Sequence, residues 1–147
     1  MPERMTAAEF RTTRKKKRID RESPIQIEIV GYLRSVFPPP CIVHHCRNEI
    51  SKSGRSIAVE IAKAKEKGML PGFPDILVLP FATVGPLLFE VKAEGNYADK
   101  TQKAVHEDLR RLGYRVAVVR SVADVRESLQ EWGYPACRRA GRHDRGF

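Results

Sequence analysis

The sequence predicts an α/β fold, a mixed β-sheet flanked by helices, on three observations. Stretches of helical apolar period alternate with short apolar strands in the order α, β, α, β, β, α, β, α. The 147 residues are 41% hydrophobic, which suits one domain with a single core. No apolar run approaches the roughly 20 residues of a membrane span, so no membrane is expected among the partners.

Each element has its own signal. The first helix starts at about Asp20 or Ser23 and runs to Val36, where Pro38-Pro39-Pro40 stops it. Cys41 to Cys46 reads as a short strand and Asn48 to Arg55 as a loop. Ile57 to Lys67 carries apolar residues at 57, 58, 61, 62 and 64, with Gly68 as the stop. Ile76 to Leu79 is a buried strand, and Pro80 to Pro86 turns the chain into the next, Leu87 to Lys92. Thr101 to Leu112 is amphipathic, with Ala104, Val105, Leu109 and Leu112 on the expected buried face and Gly113 closing it. Tyr114 to Val119 is a strand, and Val122 to Trp132 a last helix of the same period.

Charge divides the chain further. The net charge is +9, and it sits at the two ends. Residues 1–18 hold seven basic residues, including Arg14, Lys15, Lys16, Lys17 and Arg18, against Glu3 and Glu9. Residues 136–147 hold Arg138, Arg139, Arg142 and Arg145 against Asp144. The expected organisation is a flexible basic tail at 1–18, a nearly neutral body at 19–135 and a second basic tail at 136–147. Such tails suit phosphate backbones, and serve equally well as solubilising segments. Three cysteines, an odd number, argue against a disulfide framework and for a reducing cytoplasm. No apolar N-terminal segment is flanked like a signal peptide.

The chemistry concentrates in two strands. Glu90 and Lys92, two apart, project to the same face of an apolar strand, while Phe89 and Val91 project to the other. A charge there is costly unless it is paired or binds something. The strand is therefore either an edge strand with one solvated face or one that aims its charges at a ligand. Asp75 opens the preceding strand, so pairing of the two would bring both carboxylates together beside Lys92. Two hard oxygen donors suit Mg²⁺, which one or two carboxylates commonly hold together with substrate phosphate oxygens. The plain alternative is a surface ion pair worth at most ~1 kcal/mol.

The string Gly72-Phe73-Pro74-Asp75, the triplet Glu90-Val91-Lys92 and Gln102 on the next helix resemble the PD-(D/E)xK nuclease superfamily. More narrowly, they resemble the VRR-NUC (virus-type replication-repair nuclease) family. Glu22 and Gln26 match its early helix, Asn48 the end of its first strand, and Gly68 to Asp75 its Gly-x-x-x-Gly-x-Pro-Asp turn. GYRVAVVRSVADV matches its closing strand and motif, so the resemblance covers roughly residues 22 to 126. It implies a restriction-endonuclease-like core, with Asp75 and Glu90 as ligands of Mg²⁺ or Mn²⁺ and Lys92 as the active-site lysine. It also implies that the Val91 backbone carbonyl coordinates the ion and that Gln102 is an auxiliary polar residue.

Two of these residues have competing readings. Asp99-Lys100-Thr101-Gln102 has capping-box spacing, which would occupy Gln102 with the amide of Asp99. Glu22 and Gln26, four apart, share a helix face with Val30 and Leu33, which makes Glu22 a candidate supporting or third acidic group. Ser23-Pro24 also reads as N-cap and N1, which would leave Glu22 outside the helix and Gln26 as a cap. Cys41, His44, His45 and Cys46 lack a second ligand pair at zinc spacing. Trp132 and Tyr134 suit the core better than base stacking. Lys63, Lys65 and Lys67 are candidates for a DNA path, with a solvated helix face as the alternative.

The resemblance implies a metal-dependent DNA endonuclease. Small stand-alone members resemble homodimeric enzymes that resolve Holliday junctions. A flap or nicking nuclease of the same chemistry, and an inactive nucleic-acid-binding module, are the alternatives. The family's largely phage and bacterial membership implies a recombination, repair or replication role in the cytoplasm of a bacterial or phage-infected cell.

Overall fold

The computed structural model describes residues 19–47, 57–81 and 83–134. These form α1 (Glu22–Val36), β1 (Ile42–His45), α2 (Ile57–Glu66), β2 (Ile76–Leu79), β3 (Leu87–Val91), α3 (Lys100–Arg111), β4 (Arg115–Val119) and α4 (Val122–Glu131). Both basic tails, with Arg14, Lys15, Lys16, Lys17 and Arg18, lie outside the described residues, as does Asn48.

The four strands make one mixed sheet in the order β1-β2-β3-β4. β1 and β2 are antiparallel, as are β2 and β3, and the β3–α3–β4 crossover leaves β3 and β4 parallel. β3 is thus an interior strand with all five residues buried. The edge-strand reading of Glu90 and Lys92 is corrected on that point: their charges are tolerated because they meet each other and α3, not because that face is wet.

Alternation of side chains divides the sheet into two faces. Phe89 and Val91 of β3 turn toward α1 and α4, where they pack with Ile29, Leu33, Val125 and Leu129. The Phe89 and Trp132 rings lie 5.5 Å apart, so Trp132 belongs to the core, and Tyr134 packs against the same cluster. Leu88 and Glu90 turn the other way, under α3.

The apolar stripe expected on α3 is also corrected. Ala104 and Leu112 are exposed, and the helix buries His106. Its inward face runs Gln102, Val105, His106, Leu109, because the sheet beneath it carries a carboxylate that a polar partner suits better than a methyl group.

The start of α1 places Glu22 inside the helix. Arg21 is the N-cap residue without a side-chain cap, and Asp20 Oδ1 accepts the amides of Glu22 (3.1 Å) and Ser23 (3.0 Å). Ser23 and Pro24 therefore lie inside the first turn. Pro24 is tolerated there because first-turn amides have no intrahelical acceptor. Glu22 and Gln26 face inward, as their spacing predicts, and Gln26 is no cap.

Candidate active site

Asp75 directly precedes β2. Since Ile76 pairs with Phe89, the next step of the ladder sets Asp75 opposite Glu90, on the face covered by α3. Its Oδ2 accepts the Val91 amide at 2.8 Å. Its own carbonyl accepts the Cys46 amide, just beyond β1, at 2.7 Å, and His45 Nδ1 lies 3.1 Å from it. Gln26 Nε2 reaches the same ring nitrogen at 2.7 Å.

Glu90 lies under α3 with 1% of its surface exposed. Lys92 Nζ stands 2.9 Å from its Oε1, and Gln102 Nε2 donates to the same oxygen at 2.6 Å. The Gln102 carbonyl meanwhile accepts the Asp99 amide, and Asp99 Oδ1 accepts the Gln102 amide, completing a capping box. Gln102 thus completes the cap and holds Glu90 at once, since one carboxamide offers an acceptor and a donor.

Glu22 takes a different part. Its Oε1 accepts the Ala93 amide at 3.2 Å and Asn96 Nδ2 at 3.1 Å. It thus ties the start of α1 to the turn that follows Lys92, close enough to act on the ionisation of both Asp75 and Lys92.

Glycine at 72 couples these parts. Gly72 adopts φ +86, and a Cβ there would stand 2.9 Å from the backbone of Thr101 and 3.0 Å from the amide nitrogen of Gln102. The turn before Asp75 thus rests on the first backbone atoms of α3, an approach that only glycine permits.

Burial and neighbouring charge both act on the ionisable groups of the site. Burial first, and then Glu90, push the Asp75 carboxyl up to about 6, against opposing contributions from the Val91 amide and Lys92. Burial alone would lower Lys92, but Glu90, Glu22 and Asp75 outweigh it and raise the ammonium above its ordinary value. Glu90 Oε2 is buried without a hydrogen-bond partner. Two carboxylates with spare acceptor capacity and excess negative charge fit a hard divalent cation. Among the described residues no group of three or more His, Cys, Asp or Glu side chains could hold a metal. A cation here would complete its shell from backbone carbonyl, water and substrate oxygens, the habit of Mg²⁺ rather than of structural zinc.

Two clefts meet at the site. One, of about 980 Å³, is lined by Asp75 together with Arg34, His45 and Arg47. The other, of about 1070 Å³, is lined by Lys92, Asn96 and Tyr97. Glu22 and Gln102 line both. Five of the expected residues, Glu22, Asp75, Glu90, Lys92 and Gln102, are thus brought together. Lys63 and Lys67 are exposed and line neither cleft. Sequence reasoning missed His106 and the cleft arginines. For His106 the available signal was its place four residues after Gln102 on one helix face.

The VRR-NUC domain model matches residues 41–123. The chain belongs to the VRR-NUC family. A VRR-NUC domain is a nuclease of the PD-(D/E)xK type, a class that acts on DNA and generally uses divalent metal ions. A solved structure named a VRR_NUC domain protein is similar in fold, with a TM-score of 0.53 at 23% identity. The match covers 76% of this VRR-NUC chain and 87% of that one. No curated protein sequence matches the chain. No helix among the described residues is long and apolar enough to cross a membrane.

Proposed function

We propose that the protein is a Mg²⁺- or Mn²⁺-dependent endodeoxyribonuclease that acts on branched DNA and resolves four-way (Holliday) junctions as a homodimer. The observation that carries the reading is the convergence of Asp75, Glu90 and Lys92, two carboxylates and an ammonium brought together on one face of paired strands.

Asp75, Glu90 and the Val91 backbone carbonyl would hold the ion. When bound, it supplies a lowered pKa to a water molecule and offsets charge on the phosphate under attack. Lys92, kept as an ammonium by its neighbours, neutralises the negative charge that develops on that phosphate. Gln102 holds Oε1 of Glu90, and Glu22 fixes the turn beyond Lys92. Arg34 and Arg47 face the cleft on the Asp75 side, where they can seat strand phosphates without reading sequence. The products are a 5′-phosphate and a 3′-hydroxyl. Two symmetry-related sites allow both strands of a junction to be cut in one encounter. The basic tails, with Lys63 on the exposed side of α2 and Lys67 just beyond its end, extend the grip on duplex arms, in a cytoplasmic recombination or repair role.

The test incubates the purified protein with a synthetic four-way junction, a flap and a linear duplex, each with Mg²⁺, Mn²⁺ or EDTA. Junction cutting with either metal and none in EDTA is expected. Cutting that survives EDTA rejects the cation mechanism, and preference for the flap moves the substrate to that class. Binding without cutting under every metal identifies an inactive module.

A further inference from the structure

Among the described residues the buried polar side chains are Glu90 and His106, 1% and 2% exposed. They face one another across the interface between β3 and α3. His106 Nε2 lies 3.7 Å from Glu90 Oε2, and both atoms are buried without a hydrogen-bond partner. Two unpaired polar atoms in a dry interior each require a reason. The separation exceeds that of an N–H···O bond, and a side-chain shift of roughly half an ångström closes it.

The arrangement on α3 supplies the reason. Gln102 and His106, four apart, stand one turn apart on the same face. Gln102 Nε2 and Lys92 Nζ both engage Oε1 of Glu90. A carboxylate held by one oxygen can still swing about that contact, whereas one held at both oxygens cannot.

We propose that His106, with its ring proton on Nε2, is a positioning residue that holds Oε2 of Glu90 and, with Gln102, fixes the carboxylate plane for the divalent cation. The inference rests on the cation-binding role proposed above for Glu90. Ligating carboxylates are themselves held by hydrogen bonds, and removal of such a partner typically weakens metal binding ~10–100-fold. If His106 only filled volume beneath α3, an apolar residue of similar size would replace it without effect on the cation.

Two measurements decide the matter. In the cation-free protein, ¹⁵N-labelled histidine should show a slowly exchanging His106 Nε2 proton whose resonance moves in Glu90→Gln. Calorimetric Mn²⁺ titration should show ~10–100-fold weaker binding in a folded His106→Leu protein, with most of the affinity recovered in His106→Gln, which keeps a donor. A proton on Nδ1, a ring resonance indifferent to Glu90→Gln, or a His106→Leu protein that binds Mn²⁺ as the wild type does overturns the assignment. So does a His106→Gln protein no better than His106→Leu. A wild type that binds no Mn²⁺ while the ring still reports Glu90 overturns the cation reading instead, and with it the purpose given to His106.

Discussion

Asp75→Asn should make the cation-free protein more stable and the enzyme inactive. The Asp75 carboxyl stands at about 6 against an ordinary 3.8, with burial and Glu90 as the main causes. At 1.36 kcal/mol per unit this is a ceiling of ~3 kcal/mol lost on ionisation in the folded state. Asp75 is only partly buried, and solvent screening leaves ~1–2 kcal/mol. The folded protein holds the proton more tightly than the unfolded chain, so wild-type stability falls as pH rises from about 4 through about 6. The uncharged amide escapes that fall, and its oxygen can still accept the Val91 amide. In EDTA at pH 8 the variant should melt roughly 3–6 °C above the wild type, and the gain should vanish near pH 4. Saturating Mg²⁺ should reverse the order, since ~100 Kd of a ligand that binds only the folded state contributes ~2.7 kcal/mol, and the variant lacks the site. Calorimetric melting at both pH values, with and without Mg²⁺, measures each quantity. A variant that melts below the wild type in EDTA at pH 8, or whose gain persists at pH 4, refutes the argument that burial and Glu90 disfavour the Asp75 carboxylate.

Further outcomes follow from the same geometry. Gln102→Glu keeps the capping acceptor but sets a carboxylate against Glu90, so circular dichroism should report an intact fold while junction cleavage disappears; preserved cleavage would show that the amide donor is dispensable. Gly72→Ala forces a Cβ to within 2.9 Å of the Thr101 backbone at a left-handed φ, and denaturant unfolding should show a loss of ~1–3 kcal/mol. Leu33 is fully buried in the core, and Leu33→Ala should cost ~2–5 kcal/mol by the same measurement. Deletion of residues 1–18 should weaken junction binding and flatten its dependence on salt; an unchanged salt slope would leave the tail a solubilising segment.

The architecture was legible because each element carried its own punctuation. Pro38 to Pro40, Gly68 and Gly113 sit where α1, α2 and α3 end, and β2 occupies the four residues its apolar run predicts. The errors arose where one residue's role depends on another distant in sequence. A strand bearing Glu90 and Lys92 reads equally as half-solvated or as aimed at a ligand until α3 is laid over it. The inward face of α3 looks like a stripe of aliphatic residues until the carboxylate beneath it selects His106. Periodicity detects apolar partners, because burial of apolar surface is non-directional. It is blind to polar partners, which depend on where single atoms point.

Gln102 shows what that directionality accomplishes. A glutamate at the same helical position would complete the capping box equally well, so capping alone gives no reason for an amide. The reason lies in the other end of the group, 2.6 Å from Glu90 Oε1, where only a donor is tolerable. One uncharged side chain thereby anchors the start of α3 and the buried acid of β3 together. Gly72 presses the Asp75 turn against Thr101 and Gln102 of that helix. The relative placement of Asp75 and Glu90 is therefore set by the first turn of α3 as well as by strand pairing, and a change there should reach the chemistry without touching either carboxylate.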